Sequence, residues 1–402
     1  MTDTAGPLSH LRVLDLSRIM AGPWATQLFA DLGAEVIKVE RPGAGDDTRA
    51  WGPPYLKDAA GQETSEAGYY LSVNRGKRSI AIDIADPEGQ ATLRSLAREC
   101  DVVVENFKAG ALARYGLDAA TLRADNPALI YCSITGFGQD GPRRDQAAYD
   151  FAIQAMGGLM SVTGERDDLP GGGPQKVGAP IVDLMTGMYA AVAVLAALAR
   201  RDRTGQGDTI DLAMLDVSAA MLANQAMNFL VSGREPTRQG NRHPNIQPQD
   251  RFEAADGAFV LAVGNDGQFA KLCEVIGRSE WSSDPRFATN AQRVRENQVL
   301  TPLLREAFAG WQRAALIAAL ESAGVPCAPI NTVGQLFDDP QIVHRGVLRH
   351  VEHTLGGMVP IVGNPIRFQE ASRPIDRAPP LLGADTKTVL DRIRTANMGT
   401  VA

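Results

Sequence analysis

The first 135 residues alternate short apolar segments, typical of β-strands, with segments whose apolar residues recur at helical spacing. A strand at Arg12–Leu16, a Gly-Pro turn, a helix over 24–32 and a strand at Glu35–Val39 predict a βαβ unit. Further strands are expected at Ser79–Ile84, Val102–Glu105 and Leu129–Ile134, with helical segments at 87–99 and 118–124 between them. This alternation predicts an α/β fold with a mostly parallel sheet and helices on both faces.

The remaining chain divides where its composition changes. Residues 233–250 are rich in Arg, Asn, Gln and Pro, which is typical of a linker, and a strand pattern follows at Ala258–Val263 before several helical segments. We therefore expect a large domain over 1–232 and a smaller α+β domain over 233–330. The segment 331–402 is expected to return to the large domain.

Charge and composition exclude several classes of protein. Apolar residues make up 44% of the chain and charged residues 22%, so a mainly disordered chain and a coiled coil are excluded. The net charge is −7, which leaves no global basic field to attract nucleic acid or an anionic membrane. The most apolar run, Met188–Ala199, is too short to span a bilayer, and the N-terminus lacks a signal-peptide pattern. We expect a cytoplasmic protein, with neither nucleic acid nor membrane as a partner.

Two kinds of cofactor site are disfavoured by missing motifs. The cysteines have no CxxC spacing, and His350 and His353 lack a completing thiol or carboxylate motif, so no metal is expected. No GxGxxG follows the first strand and no GxxxxGK[ST] occurs anywhere. A nicotinamide enzyme and an NTP hydrolase are therefore disfavoured.

Polar and basic residues follow several predicted strands. Arg41 comes directly after the second strand, Asn106 and Lys108 follow VVVE, and Arg114 lies slightly further on. Ligands of open α/β sheets lie outside the carboxyl ends of strands, so Arg41, Asn106 and Lys108 are candidates to bind a phosphate-bearing ligand. Scattered surface charges are the alternative interpretation.

Asp183 stands immediately before a long apolar helical pattern. Aspartate is a favoured helix N-cap, and capping alone explains such a position. A helix N-terminus also stabilises an ionised carboxylate, which is what a carboxylate nucleophile requires. Both interpretations of Asp183 remain open at this point.

Four ordered segments resemble the class III CoA-transferases of the CaiB–BaiF type, which include formyl-CoA transferase and carnitine CoA-transferase. The resemblance extends from about Arg12 to Leu382. The segments are VLDLSRIMAGPWATQLFADLGAEVIKVERPGAGDDTR, NRGKRSIAIDIADPEG, VVVENFKAGALARYGL and IVDLMTGMYAAVAVLAALARRDRTGQG.

The resemblance implies roles for particular residues. The catalytic aspartate of the family falls on Asp183, and Tyr149, Met20 and Ala21 are expected to bind substrate. The CoA-binding positions fall on Arg41, Ile82, Asp83, Ile84, Ala85, Asn106, Phe107, Lys108 and Arg114. Charged hydrogen bonds from Arg and Lys suit the phosphates of CoA. CoA would enter as acyl-CoA substrate, so no separate cofactor is expected.

The resemblance also implies a mechanism and an assembly. Asp183 would carry the acyl group as an anhydride and then CoA as a thioester, while backbone N–H groups at Gly157 and Gly158, or in the loop 169–174, are candidates to stabilise the oxyanions. The large domain would be Rossmann-like, and two chains would form a homodimer of interlocked rings. An α-methylacyl-CoA racemase and a catalytically silent CoA-binding protein are the alternatives on the same fold.

Two departures bear on the substrate. Met20 replaces a glutamine of formyl-CoA transferase, and GNRHPNIQPQDRF stands in place of its glycine run. The latter resembles the branch that moves CoA between dicarboxylic or branched acids. An acyl-CoA donor and a small carboxylic acid are therefore the expected partners, with a dicarboxylate of the succinyl type as a candidate donor or acceptor. Arg242 and Arg251 flank this segment and are candidates to pair with a distal carboxylate.

Overall fold

The computed structural model describes residues 6–371 and 377–399, which form two compact units. The first unit holds the described chain up to Leu159, then Val177–Ala226 and the residues from Pro340 onward. The second holds Met160–Lys176 and Met227–Asp339.

The strands are β1 (Arg12–Asp15), β2 (Glu35–Glu40), β3 (Tyr55–Lys57), β4 (Glu63–Ala67), β5 (Arg78–Ala81), β6 (Val102–Glu105), β7 (Ile130–Thr135), β8 (Thr209–Ala213), β9 (Gln249–Ala254), β10 (Gly257–Ala262), β11 (Cys327–Pro329), β12 (Leu348–His353) and β13 (Gly357–Val362). The α-helices are α1 (Ala21–Asp31), α2 (Gly68–Val73), α3 (Pro87–Arg98), α4 (Ala119–Asp125), α5 (Asp150–Met156), α6 (Leu159–Val162), α7 (Ile181–Thr204), α8 (Met214–Met221), α9 (Ala223–Ser232), α10 (Asp266–Val275), α11 (Asn290–Arg295), α12 (Asn297–Ala309), α13 (Arg313–Ser322), α14 (Val333–Asp338), α15 (Pro340–Arg345) and α16 (Thr386–Gly399).

The central sheet of the first unit is parallel throughout, with strand order β5-β2-β1-β6-β7-β8. This confirms the predicted α/β fold with a mostly parallel sheet. The strands read as continuous apolar runs because both faces are covered, and all of Val102–Glu105 is buried. Phe29 of α1 and Val194 of α7 belong to the core on one face, and Leu93 of α3 and Val389 of α16 to the core on the other.

The strand order reverses between β1 and β6. The chain passes from β1 to β2 on one side and from β6 to β7 on the other. Loops that leave two such strands diverge and open a crevice, which is the usual ligand position in sheets of this type. The crevice lies between the loop after Asp15 and the loop after Glu105.

Helix α7 is twice as long as the twelve-residue apolar run that suggested it. It spans 24 residues and has the length and hydropathy to cross a membrane by composition alone. Its row of Val182, Thr186, Ala190 and Val194 is buried, as in the core helix of a globular protein. It also packs tightly on α1, because a Cβ at Gly187 would lie 2.6 Å from the carbonyl oxygen of Ala21.

The second unit is built on the antiparallel sheet β11-β10-β9. Phe308 of α12 packs edge-to-face on Phe252 and Phe259, with ring centroids 5.1 and 5.2 Å apart. The segment 160–176, which lies inside the predicted large domain, belongs to this unit. Gln175 N donates to Thr163 O at 2.9 Å, and an Arg238 guanidinium nitrogen donates to Ser161 O at 3.2 Å.

Candidate active site

The two loops at the crevice are joined by the side chain of Asn106. Its Oδ1 accepts the Arg18 N–H at 2.8 Å, and its Nδ2 donates to Arg18 O at 2.7 Å. The Arg18 guanidinium lies over the Phe107 ring, 5.1 Å from its centroid. Ile19 has a φ of 70°, a conformation rare for a β-branched residue, and its N–H donates to the Asp46 carboxylate. The loop after β1 is therefore held in one conformation.

A cavity of about 200 Å³ opens at the ends of β1, β2 and β5. It brings together five of the predicted CoA-binding residues: Arg41, Ile82, Asp83, Ile84 and Phe107. Leu16, Val39 and Leu112 supply apolar wall, while Arg18 and Arg41 supply positive charge. The mixture suits a ligand with a flat apolar part and an anionic part.

A second cavity of about 200 Å³ contains Asp183. Its lining includes the predicted catalytic residue, the predicted substrate-binding residues and two further predicted CoA-binding residues: Asp183, Tyr149, Met20, Ala21, Asn106 and Lys108. Arg18 and Phe107 line both cavities, which therefore adjoin at these two side chains. Arg144 adds a further positive charge to the wall of the cavity with Asp183.

Two predicted residues line neither cavity. Ala85 lies one residue beyond the wall, and its N–H donates to Asp83 Oδ1 at 2.8 Å. Arg114 lies over the ring of its neighbour Tyr115, 4.5 Å from the centroid. Their assignment to CoA stays a prediction.

Asp183 is the third residue of α7, not its N-cap. The N-cap residue is Pro180, whose side chain makes no capping hydrogen bond. Asp150 supplies the cap from 33 residues away, because its Oδ2 accepts the N–H groups of Val182 at 2.8 Å and of Asp183 at 3.1 Å. Asp150 is held in turn by Gln154, whose Nε2 donates to its Oδ1 and whose Oε1 accepts the Val177 N–H at 2.9 Å. The capping interpretation of Asp183 is therefore wrong.

The charge state of Asp183 differs from the expected one. Burial, and then the negative charge of Asp150, raise the pKa of Asp183 to about 7. The helix N-terminus was expected to keep this carboxylate ionised, but the Asp150 carboxylate already accepts two of the first N–H groups of α7. The loss of hydration on burial therefore raises the pKa of Asp183 by more than the helix dipole lowers it.

Aromatic residues near this carboxylate were missed by the sequence reasoning. Burial, followed by the charges of Asp183 and Asp150, raises the pKa of Tyr69 to about 12. Its ring packs edge-on against Trp51, with centroids 5.0 Å apart. Tyr69 lies in the short helix α2 and Trp51 precedes β3, in the stretch between β2 and β5 where no periodic pattern marks them.

A buried acid stands directly before the Asn106 loop. Burial raises the pKa of Glu105 to about 7, and its Oε2 accepts the Phe107 N–H at 2.7 Å. Its Oε1 accepts from the Ser133 hydroxyl, which also accepts from Gln139 Nε2 at 2.6 Å. These bonds fix the backbone from which Asn106 and Phe107 project.

The glycines considered for an oxyanion site lie elsewhere. Gly157 and Gly158 line neither cavity, and a Cβ at Gly157 would lie 2.1 Å from Ser218 Oγ. The loop 169–174 belongs to the second unit. Among the residues that the structure describes, no three His, Cys, Asp or Glu side chains are grouped as metal ligands.

Comparison with known proteins gives a consistent result. Residues 8–386 match CoA-transferase family III. A succinate–glutarate CoA-transferase of Agrobacterium fabrum is 48% identical over 395 residues, covering 98% of each chain. The succinyl-CoA:glutarate CoA-transferase of Mus musculus is 40% identical over 399 residues, covering 99% of this chain and 89% of the mouse protein. A crystal structure of a CaiB/BaiF family protein from Brucella suis superposes with a TM-score of 0.83 at 48% identity, covering 97% of this chain and all of that one.

Proposed function

The chain belongs to CoA-transferase family III and is a CoA-transferase, and from this membership we propose that Asp183 is the nucleophile that carries CoA between two dicarboxylic acids. The observation that carries the proposal is a cavity in which a carboxylate with a raised pKa stands beside the residues expected to bind substrate. The match of residues 8–386 to CoA-transferase family III confirms the predicted resemblance to the family.

The proposed reaction proceeds through four balanced acyl exchanges. An Asp183 carboxylate oxygen attacks the thioester carbonyl of the donor, which forms a mixed anhydride and releases CoA thiolate. The thiolate attacks the aspartyl carbonyl, which forms an aspartyl-CoA thioester and frees the donor acid. The acceptor carboxylate then attacks this thioester, giving a second anhydride and thiolate. Attack of the thiolate on the acceptor's acyl carbon yields the new acyl-CoA and regenerates Asp183.

The environment of Asp183 suits both halves of this sequence. A carboxylate poorly stabilised by water is a stronger nucleophile than a hydrated one, and little water near an anhydride limits hydrolysis. The Asp150 cap fixes the first turn of α7, and hence the position from which Asp183 attacks. Asp150 is thus proposed as a positioning residue whose charge, after burial, also raises the pKa of Asp183.

We assign the CoA moiety to the cavity with Arg41, Ile82 and Phe107. Its apolar wall suits the adenine ring, and Arg41, whose side chain is 65% exposed, is accessible to a phosphate. Asn106, Lys108, Asp83, Ile84, Ala85 and Arg114 complete the proposed CoA-binding set. Because the two cavities adjoin at Arg18 and Phe107, the thioester would reach the Asp183 cavity along these side chains.

The acids are proposed to be short dicarboxylates of the succinate and glutarate type. The relatives in Agrobacterium fabrum and Mus musculus are named for succinate or succinyl-CoA and glutarate. In this chain Arg18, Lys108 and Arg144 line the cavity with Asp183, so a second carboxylate on the acyl group would meet positive charge there.

We also propose that the chain acts as a homodimer, in the interlocked form that the resemblance implies. An apolar face of α7 is exposed at Met188, Tyr189, Val192 and Leu195 and is not covered by the described residues of this chain. Contiguous apolar surface of this kind usually marks a protein interface. In a sedimentation experiment the wild-type protein should be a dimer, and Val192→Glu refolded from denaturant should give a smaller dimeric fraction. A wild-type monomer would exclude the assembly.

Transfer itself is tested with succinyl-CoA and isotopically labelled glutarate. We expect labelled glutaryl-CoA, and no deuterium at the α-carbon of a 2-methylacyl-CoA incubated in deuterated water. Racemisation needs a base on each face of the substrate, and a phenol, unlike an imidazole, is ordinarily protonated near neutral pH. Deuterium incorporation without label transfer would exclude the transferase and favour the racemase.

A further inference from the structure

The second unit contains a polar cavity of about 300 Å³ that shares no lining residue with either cavity of the first unit. Its charged lining comprises four arginines and two carboxylates: Arg166, Arg242, Arg251, Arg305, Glu165 and Asp250. Cavities for neutral small molecules are lined mainly by apolar side chains. An excess of guanidinium groups therefore points to an anionic ligand.

One wall is the polar face of α12. Asn297, Thr301 and Arg305 are spaced four residues apart, so they project from the same side of the helix. Leu300 and Leu304 are buried on the adjoining face of the helix, which fixes the rotation of α12. The helix therefore offers an amide, a hydroxyl and a guanidinium group in a row.

Another wall is the loop that carries Arg242. This loop packs against Glu165, because a Cβ at Gly240, whose φ is 63°, would lie 2.7 Å from the Glu165 carboxylate. The half-buried Arg242 guanidinium donates to Asn297 Oδ1 at 2.7 Å and to Gln239 Oε1, both neutral acceptors. Burial and the neighbouring charge of Arg166 lower the pKa of Arg242. The charges of Asp250 and Asp168 oppose this shift without cancelling it, so an anion placed here would add compensation that the protein supplies only in part.

The four arginines differ in their partners. Arg166 pairs with Asp168, and Arg251 pairs with Glu253. Arg242 has no carboxylate within ion-pair distance among the described residues, and in that same part of the chain Arg305 forms neither a hydrogen bond nor an ion pair. The charges of both arginines act on the Asp250 carboxylate at longer range, but neither is held in a close ion pair in the part of the chain that the structure describes, so both are available to a ligand.

We propose that this cavity binds a short dicarboxylate, with Arg242 and Arg305 each holding one carboxylate. The choice of dicarboxylates rests on the proposed function, in which acids of this class are the substrates. Two guanidinium groups carried by separate elements, the loop with Arg242 and the helix α12, suit a ligand with two anionic ends. Glu165 and Asp250 face the same space and limit the affinity by repulsion.

The test is a calorimetric titration of the full-length protein with glutarate in the absence of acyl-CoA. We expect saturable binding that weakens about tenfold or more in Arg242→Gln and in Arg305→Gln, the scale of one charged hydrogen bond. Arg286→Gln is the matched control, since Arg286 is an exposed arginine of the same unit that pairs with Asp284 at 2.7 Å. Asp250→Asn should tighten binding severalfold, which loss of a merely structural contact would not do.

Further titrations distinguish this cavity from the one that contains Asp183. Repeating them in an Asp183→Ala background should change nothing, because the cavities share no lining residue. Butyrate and inorganic phosphate should each bind at least about tenfold more weakly than glutarate, since neither spans two guanidinium groups. The proposal is overturned by absent glutarate binding, by binding that Arg305→Gln leaves unchanged, or by equal affinity for butyrate or phosphate. Failure of the proposed function would instead be seen as no CoA transfer to glutarate while this titration still gives saturable binding.

Discussion

Replacing Asp150 by asparagine tests how the charge state of Asp183 is set. The variant keeps the shape of the side chain and removes its negative charge, which is the second cause of the raised pKa of Asp183 after burial. An amide oxygen at this position can still accept from Val182 and Asp183, so the first turn of α7 keeps a cap. The variant loses one of its other bonds, because the amide nitrogen would face the donor of Gln154.

The size of the effect follows from the repulsion between two like charges. As a reference scale, two like unit charges separated by about 8 Å at an effective dielectric constant of about 20 repel by ~2 kcal/mol, or about 1.5 pKa units. Part of this is screened at a half-buried site, so we expect the pKa of Asp183 to fall by about one unit from its value of about 7. The ionised, attacking form would then be about fivefold more populated at pH 6.

The assay is the pH dependence of kcat/KM for the acyl-CoA donor, which reports ionisations of the free enzyme. Wild-type activity should rise with pH through about 7, and the rise should move to lower pH in Asp150→Asn. Asp202→Asn is the control, because Asp202 is an exposed aspartate near the other end of α7. An unshifted or upward-shifted profile would refute the assigned role of Asp150.

Three further predictions concern binding and stability. Arg41→Ala should weaken binding of all acyl-CoA donors about equally, by roughly 1.5–3 kcal/mol, and an effect confined to one donor would place Arg41 at the acyl group. Asp183→Asn should raise the melting temperature at pH 8 but not near pH 4. A native pKa that lies above the pKa of Asp183 in the unfolded chain stabilises the fold at pH values below that unfolded pKa, and this contribution is lost as the pH rises through about 7. Lys38→Met should lower the free energy of unfolding, measured in urea, by about 3–5 kcal/mol, because it leaves the buried Asp46, 2.8 Å from Lys38 Nζ, without its cation. A loss below about 1 kcal/mol would show that Asp46 takes up a proton instead.

The central sheet was predictable because its strands carry their signal locally. Runs such as VVVE are buried on both faces, and short connections tie each strand to the next helix. The length of α7 could not be predicted, because residues 200–204 at its polar end remain helical although they lie beyond the apolar run. The placement of 160–176 in the second unit depends on bonds to distant residues, such as Arg238 to Ser161, that leave no periodic trace.

The candidate site was predictable only in part, for a similar reason. The loops after β1 and β6 converge because parallel strands end at one edge of the sheet. The place of Asn106 and its neighbours in the candidate site could therefore be inferred from the strand order. Asp150 reaches α7 from 33 residues away, and its capping role depends on the tertiary fold. Burial, and then the charge of Asp150, raise the pKa of Asp183, which the helix position alone suggested would stay low.

The most direct test of the account is to trap CoA on Asp183. Wild-type enzyme incubated with succinyl-CoA alone, then digested and analysed by mass spectrometry, should yield the peptide containing Asp183 with CoA attached as a thioester. Hydroxylamine should convert that thioester to a hydroxamate on Asp183 and abolish activity, while Asp183→Ala should show neither the adduct nor turnover. Undiminished CoA transfer by Asp183→Ala, or a CoA adduct on another residue, would contradict the account.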